Sequence, residues 1–257
     1  MSTETVAQPL TREAFGELYR AGLAETSLDP VRFGSTAVTD RLYVVVAKLI
    51  ENARRFNLTA ILDPAEIVRK HLLDSLLPLP LWEAAGVRFS SVLDVGTGAG
   101  FPLLPLACVL EGEGVRLCGL DATAKKISHI LETASAAKLT SVEAVSGRAE
   151  DLAHGKMRES YDLVTARAVA NLPVLMELSA GFVKAGGVFC AMKAHADEDE
   201  SLAEAIAGEY GLTKCEPIDY ELPGGDARRL VLFRKERPTP QKFPRRYAEI
   251  LKQFPKK

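Results

Sequence analysis

An apolar run beginning at Ser91 ends in Asp94, and Gly96, Gly98 and Gly100 follow at alternate positions before Phe101-Pro102 and a helical stretch. A second apolar run, Val115–Asp121, also ends in an acid, 23 positions beyond Gly98. Glycines let a backbone turn sharply and approach a ligand without a Cβ in the way. A strand, a glycine turn opening a helix, and a second strand delivering a carboxylate are the parts of a nucleotide-type site in a doubly wound sheet. The second acid is placed to accept hydrogen bonds from a ribose diol.

The glycine spacing separates cofactor classes. A dinucleotide fingerprint reads G-x-G-x-x-G and serves a pyrophosphate at a helix N-terminus. This chain reads Gly96-Thr97-Gly98-Ala99-Gly100, which is G-x-G-x-G, preceded by Asp94. S-adenosyl-L-methionine has no phosphate but carries an ammonium, a sulfonium, a ribose and an adenine. An acid beside the turn suits its cationic methionine end, directly or through oriented backbone. A turn that merely joins strand to helix would not require both Asp94 and Asp121 in register.

Strands and helices alternate from this point. Strands are expected at Ser91–Gly96, Arg116–Asp121, Ser141–Ser146, Tyr161–Ala166, Gly187–Lys193, Thr213–Tyr220 and Arg228–Lys235. Helices are expected at Leu103–Leu110, Lys125–Lys138, near Glu150, at Pro173–Val183 and at Glu198–Tyr210. Apolar strands linked by helices predict a mostly parallel sheet covered on both faces. Only Leu222–Asp226 joins the last two strands, so the final strand should run antiparallel. The expected fold is therefore an α/β, Rossmann-like class I S-adenosylmethionine-dependent methyltransferase fold with a seven-stranded sheet. Helical periodicity at Glu13–Gly22 and Val38–Phe56, with Thr36 or Thr39 as cap, precedes it. A third helix, Ala65–Leu77, opens at Pro64 and is expected to stop at Pro78 and Pro80. Residues 1–90 thus read as an N-terminal helical extension packed on the core, 91–237 as the main domain and 238–257 as a basic tail.

With 257 residues, 47% of them hydrophobic, the chain can bury one large core. No apolar run reaches the roughly 18 residues of a membrane span, and Leu42–Ile50 is interrupted by Lys48. The start lacks the basic region of a secretory signal. Cys108, Cys118, Cys190 and Cys215 are widely spaced in apolar patterns, so they read as buried reduced thiols with no metal site. A cytoplasmic monomer that contacts no membrane is expected. From Arg228 onward eleven Lys and Arg face two acids, a surplus of nine, so the preceding residues carry −11 within the overall −2. A basic end on an acidic body suits a polyanion. Phe243, Tyr247 and Phe254 interleave with the charges, as base stacking on RNA would use; a merely solubilising tail is the alternative.

Several local patterns coincide with one family. Asn57–Ile61, His71, Asp74-Ser75-Leu76 and Leu93–Pro102 resemble the bacterial small-subunit rRNA guanine-N7 methyltransferases, the RsmG/GidB family. The likeness continues through Asp121–Lys126, Gly147–Glu150, Ala166–Ala170, Met192-Lys193 and Arg229-Leu230-Val231. It covers nearly the whole chain from about residue 40. The chain departs from the pattern at Leu103, where the family usually has glycine, and loosely in the tail from Tyr247.

The resemblance implies methylation of N7 of one guanosine, position 527 in the usual 16S numbering, with S-adenosyl-L-homocysteine as product and the small ribosomal subunit or its 16S rRNA as partner. It implies cofactor contacts at Asp94, Gly96, Gly98, Gly100, Phe101, Asp121, Ala122, Thr123, Ala149, Glu150 and Arg167. Arg167 and Lys193 are the catalytic candidates, and Arg228, Arg229, Lys242, Arg245 and Arg246 the RNA-binding ones. Simpler roles compete: Glu150 as a helix N-terminal acid, Arg167 as partner of a structural carboxylate, His71 and Asp74 as braces of the helical extension. Guanine N7 carries no proton, so no general base is needed, in keeping with the lack of a recognisable nucleophile constellation. Rival readings are a methyltransferase of another RNA, a small molecule or a protein; a non-catalytic RNA-binding factor; and an NAD-dependent oxidoreductase, disfavoured by glycine spacing and hairpin.

Overall fold

The computed structural model describes residues 10–167, 170–194 and 199–255. Ala168, Val169, Lys256, Lys257 and Glu198, the expected start of one helix, lie outside the described residues. The helical segment comprises α1 (Arg12–Ala24), α2 (Pro30–Phe33), α3 (Thr36–Phe56), α4 (Pro64–Ile67), α5 (Asp74–Leu76) and α6 (Pro78–Ala84), with a π-helical stretch at Val68–Leu73. The sheet-bearing part follows as β1 (Ser91–Val95), α7 (Leu103–Leu110), β2 (Arg116–Asp121), α8 (Ala124–Ala136), β3 (Val142–Ser146), α9 (Ala149–Leu152), β4 (Tyr161–Arg167), α10 (Leu172–Ala180), β5 (Val183–Lys193) and α11 (Glu200–Ala207). Three further strands, β6 (Leu212–Lys214), β7 (Ile218–Glu221) and β8 (Ala227–Lys235), precede α12 (Tyr247–Gln253).

The sheet order is β3-β2-β1-β4-β5-β8-β6, with β7 also paired to β8. β1 through β5 are parallel, and β8 runs antiparallel to β5, β6 and β7. The reversed last strand is as expected, but the sheet has eight strands rather than seven. The single strand expected at Thr213–Tyr220 is broken in two: Lys214 pairs with Phe233, whereas Ile218 pairs with Leu230. Three residues therefore oppose two, and Pro217, which has no N–H for the ladder, lies in the gap.

Successive strand residues point to opposite faces, and the core divides accordingly. Val92, Leu117, Leu163, Cys190 and Leu232 face a cluster shared with Phe15, Leu42, Leu72 and Trp82 of the helical segment. Leu93, Cys118, Val164, Phe189 and Phe233 face the other side, toward Leu175, Tyr210 and Ile250. Among the described residues no helix is long and apolar enough to cross a membrane. The cysteines are free thiols.

Local starts differ from the sequence expectation in two places. Ser35, not Thr36 or Thr39, caps α3: its side chain accepts from Val38 N while Thr36 is already helical. Pro78 does not end the helical path but opens α6 as its first residue, where the missing N–H is no loss. The preceding π-helical stretch carries His71 and hands over to Asp74, so both side chains are aimed at the sheet's carboxyl end rather than along an unbroken α-helix.

Candidate active site

The strand order reverses between β1 and β4, which opens a crevice at the carboxyl ends of the parallel strands. Each candidate loop leaves one of these ends. Three adjoining cavities fill the crevice. One of about 190 Å³ is lined by Leu120, Asp121, Ala122, Gly147, Ala149, Glu150 and Tyr247, among others. A second, of about 350 Å³, shares Gly96 and Asp121 with it and adds Gly98, Phe101, Lys126, Thr59, His71 and Arg167. The third, about 500 Å³, shares His71 and Arg167 with the second and adds Lys70, Asp74, Met192, Lys193, Tyr220 and Arg228.

Asp121 stands between the first two cavities. Its carboxylate accepts from Gly98 N at 3.1 Å and Thr123 N at 2.8 Å, with Lys126 Nζ at 3.6 Å. The glycine turn and the start of α8 are thus both anchored on the acid that ends β2. Asp94 is different. It is buried beneath the turn and lines none of these three cavities; Thr165 donates to its Oδ1 at 2.9 Å, while Oδ2 and the Thr97 hydroxyl have no hydrogen bond of regular geometry among the described residues. Burial pushes its carboxyl up to about 7 despite the nearby hydroxyls and Arg167.

Gly100, expected as a cofactor contact, does not line these three cavities. Its φ is +91°, and a Cβ there would sit 2.5 Å from Leu104 Cδ1, so it lets α7 pack against the turn. Leu103 packs against Gly119 of β2. Leu103 is fully buried, and a Cβ at Gly119 would lie 2.7 Å from its Cδ2, so its side chain occupies space left open at 119. Thr123 contributes its backbone to Asp121 rather than a cavity wall.

His71 stacks on Phe101 with ring centroids 4.9 Å apart, and the Arg167 guanidinium lies 5.8 Å from the same ring. Burial, and then the nearby Arg167 charge, bring the His71 pKa down to about 4. The ring is therefore neutral at physiological pH. Its Nδ1 lies 3.2 Å from the Lys70 carbonyl, which only accepts, so Nδ1 carries the proton and Nε2 accepts from the Thr59 hydroxyl at 3.0 Å. Both ring nitrogens are engaged.

Arg167 does pair with a carboxylate: its Nη1 is 3.0 Å from Asp74 Oδ2. Arg228 Nε reaches Asp74 Oδ1 at 2.9 Å and the Tyr220 hydroxyl donates to the same oxygen at 3.4 Å. Lys193 lines the third cavity and donates to the Ala170 carbonyl at 3.5 Å.

The comparisons bear on this arrangement. A family model described as "GidB: rRNA small subunit methyltransferase G" matches residues 40–216, from within α3 to within the break between β6 and β7. The chain belongs to this family. The ribosomal RNA small subunit methyltransferase G of Deinococcus radiodurans is 42% identical over 233 residues, covering 90% of this chain and 88% of its own. That of Symbiobacterium thermophilum is 42% identical over 242 residues, covering 91% and 95%. The fold is also similar to the O-methyltransferase TomG from Streptomyces achromogenes, with TM-score 0.51 at 18% identity, covering 75% of this chain and 90% of that one.

The family model stops at residue 216, but the relatives align over about 90% of the chain and so extend beyond it. Residues 238–255 of the expected basic tail are packed against the body. Arg245 binds Glu177, which is fully buried, through its backbone N (2.9 Å), Nε (2.8 Å) and Nη2 (2.6 Å), and its Nη1 reaches Gln253. Arg229 is paired with Glu200 and Asp219, and Lys235 is buried, donating to the Ala180 carbonyl. Phe243 and Phe254 are core residues rather than stacking platforms. Arg158 collects the carbonyls of Thr239, Pro240 and Phe243, stapling the segment to the body. A surplus of charge along a sequence does not distinguish a cation facing solvent from one neutralised by an acid distant in sequence. Lys242 and Arg246 are exposed.

Sequence reasoning missed Thr59, Lys126, Lys70, Tyr220 and Tyr247 as cavity residues. Thr59 and Lys126 stood inside motifs already quoted. Nothing local marked Tyr220, and Tyr247 was expected only as a stacking ring for RNA; they reach the crevice through β7 and α12.

Proposed function

We propose that this chain transfers the methyl group of S-adenosyl-L-methionine to N7 of a guanosine in small-subunit ribosomal RNA. The observation that carries the reading is the joined crevice, in which a cavity built around Asp121 and the glycine turn opens through Arg167 and His71 into a larger cationic one. Family membership supplies the RNA.

The residues present fit the cofactor. Asp121 retains acceptor capacity for a ribose diol beside its two backbone donors, and Ala122, Ala149, Glu150 and Tyr247 frame a slot for a flat base. Asp94, buried beneath the turn, acts on the cation at the methionine end through the backbone of the glycine turn rather than by lining the cavity. Gly96, Gly98 and Phe101 line the cavity between, with Arg167 at its far wall. When bound, the cofactor supplies an electrophilic methyl group on a sulfonium.

Guanine N7 presents an in-plane lone pair that forms the new N–C bond as the S–C bond breaks with its electrons to sulfur. No proton moves, and one unit of positive charge passes to the purine. His71 accordingly has no base to play: it is neutral, and its acceptor nitrogen is taken by Thr59. Its stacking on Phe101 instead joins the helical segment to the glycine turn. The protein's work is alignment and exclusion of water, for which proximity supplies about 7–11 kcal/mol. Arg167 and Lys193 orient the guanine O6 or a neighbouring phosphate. Because N7 of paired RNA lies in a deep, narrow groove, the target nucleotide is unpaired or distorted. Both walls of the crevice come from one chain, so a monomer acting in the cytoplasm suffices.

Radiolabelled cofactor incubated with small subunits, and separately with their deproteinised RNA, tests the proposal. Label should enter RNA at one guanosine, which reduction and aniline then cleave. Label on protein or small molecules, on an exocyclic amine or a ribose hydroxyl, or RNA binding without transfer would overturn it.

A further inference from the structure

The third cavity holds an unusual charge arrangement. Lys70, Arg167, Lys193 and Arg228 line it, and Asp74 is its one carboxylate among the described residues. Asp74 is not a surface acid that happens to lie near cations. It is buried, and it gathers groups from three separate strands: Arg167 at the end of β4, Arg228 at the start of β8 and Tyr220 in β7. It does so from the short helix α5, immediately after the π-helical stretch that aims it inward.

We propose that Asp74 is the positioning and charge-balancing residue of methyl transfer, holding Arg167 at the junction of the two cavities and offsetting the cation that forms on the purine. The inference rests on the function proposed above and extends it. Its physical basis is the movement of charge in the reaction. The S–C bond breaks and the N7–C bond forms with no proton released, so positive charge leaves the cofactor cavity and arrives in the cavity that already contains the arginines. Two guanidiniums with no acid between them would oppose that arrival. With Asp74 between them the trio carries +1 instead of +2, and each guanidinium keeps one ionised oxygen as a fixed partner.

The same carboxylate explains why Arg167 can serve both cavities without swinging between them. Its Nη1 is held at 3.0 Å by Oδ2 while its guanidinium stays over Phe101, which lines the cofactor cavity. Arg228 fixes the other oxygen, so the carboxylate plane is set from two sides. The charge-assisted bonds that order this wall are stronger than neutral ones and less tolerant of displacement.

The test uses full-length enzyme and small-subunit RNA at saturating cofactor, in single turnover. Asp74→Asn keeps size and shape but raises the trio to +2. An effective dielectric of about 20 around the site makes one charge worth about ten- to a hundredfold in rate. The methyl-transfer rate should fall by that factor, and by clearly more than cofactor affinity does. Affinity for already methylated, cationic RNA should fall relative to unmethylated RNA, a ratio that a purely structural role would leave alone. Adding Arg228→Gln to Asp74→Asn returns the trio to +1 and should recover part of the rate. Should the single variant fail to fold, the double variant is compared with Arg228→Gln alone, in which the trio is neutral. The double variant must then be the slower by about tenfold. Equal rates in either comparison, or cofactor affinity falling in step with rate, overturn the proposal. A wild-type enzyme that methylates no guanine N7 defeats the functional reading and this inference with it; methylation by wild type beside an equally fast Asp74→Asn defeats the inference alone.

Discussion

Replacing Arg245 should damage stability far more than RNA binding. Glu177 is fully buried in α10, and its carboxylate accepts from the Arg245 backbone, Nε and Nη2 and from the Tyr210 hydroxyl at 2.6–2.9 Å. Arg245→Ala removes two of these donors and, among the described residues, the only charge paired with Glu177. Breaking a buried pair from one side costs about 3–5 kcal/mol, because the remaining charge is left without compensation. In a domain of this size each kcal/mol moves Tm by about 2–4 °C, so a fall of about 6–20 °C is expected. Thermal unfolding followed by circular dichroism measures it. The loss should depend on pH in a definite sense. Burial pushes the Glu177 carboxyl up, but its bonds to Arg245 outweigh this and hold it below its ordinary value. The pair's contribution is therefore present above the unfolded carboxylate pKa of about 4.3 and fades as pH falls through the lower folded value. In the variant only the backbone N–H at 245 and the Tyr210 hydroxyl oppose burial, so the protonated acid is favoured more than in wild type and the two Tm curves should approach each other as pH drops toward about 4. Glu177→Gln added to Arg245→Ala should restore part of the stability. Exposed Lys242 and Arg246 supply the contrast: replacing both by Ala should leave Tm within about 2 °C and flatten the salt dependence of RNA binding. A Tm shift below about 2 °C for Arg245→Ala, accompanied by weakened RNA binding, would refute the buried clamp and return Arg245 to the RNA surface.

Asp121→Ala should weaken cofactor binding by about 1.5–3 kcal/mol in calorimetric titration and also lower Tm, because Gly98 N and Thr123 N lose their acceptor; undiminished affinity in a folded variant would remove Asp121 from the ribose site. The Asp94 carboxyl, raised to about 7, should make the unliganded wild type lose stability relative to Asp94→Asn as pH rises from about 4 to 7, with no further divergence above; parallel Tm profiles would count against a buried titrating acid. Single-turnover methyl transfer should be nearly flat from about pH 6.5 to 8.5 in both wild type and His71→Asn, since His71 is already neutral; a tenfold rise per pH unit abolished by the substitution would restore a general base. Gly100→Ala should cost about 1–3 kcal/mol of stability through its φ of +91° and the approach of Leu104, while cofactor affinity of the folded fraction stays within about threefold; a loss of affinity without a loss of stability would place Gly100 back in the cofactor cavity.

Much of this protein was already decided along the chain. The apolar periodicity, the glycines at alternate positions and the acids ending two successive strands dictate a parallel sheet with a crevice at its carboxyl end, because each depends on residues within one strand–turn–helix unit. Asp121, Gly98, Phe101 and Glu150 were legible for that reason. The broken strand at Pro217 and the π-helical stretch around His71 were not, since each depends on what the segment pairs with or packs against. Ion pairing was still less visible. Asp74 meets Arg167 and Arg228 across 93 and 154 positions, and Glu177 meets Arg245 across 68. A basic run and an acidic body appear as two separate features in the sequence. Only tertiary packing joined their charges, sending Arg245 and Lys235 inward and leaving Lys242 and Arg246 in solvent. A charge's role is set by the dielectric and the partner around it, and both come from parts of the chain that local sequence does not contain.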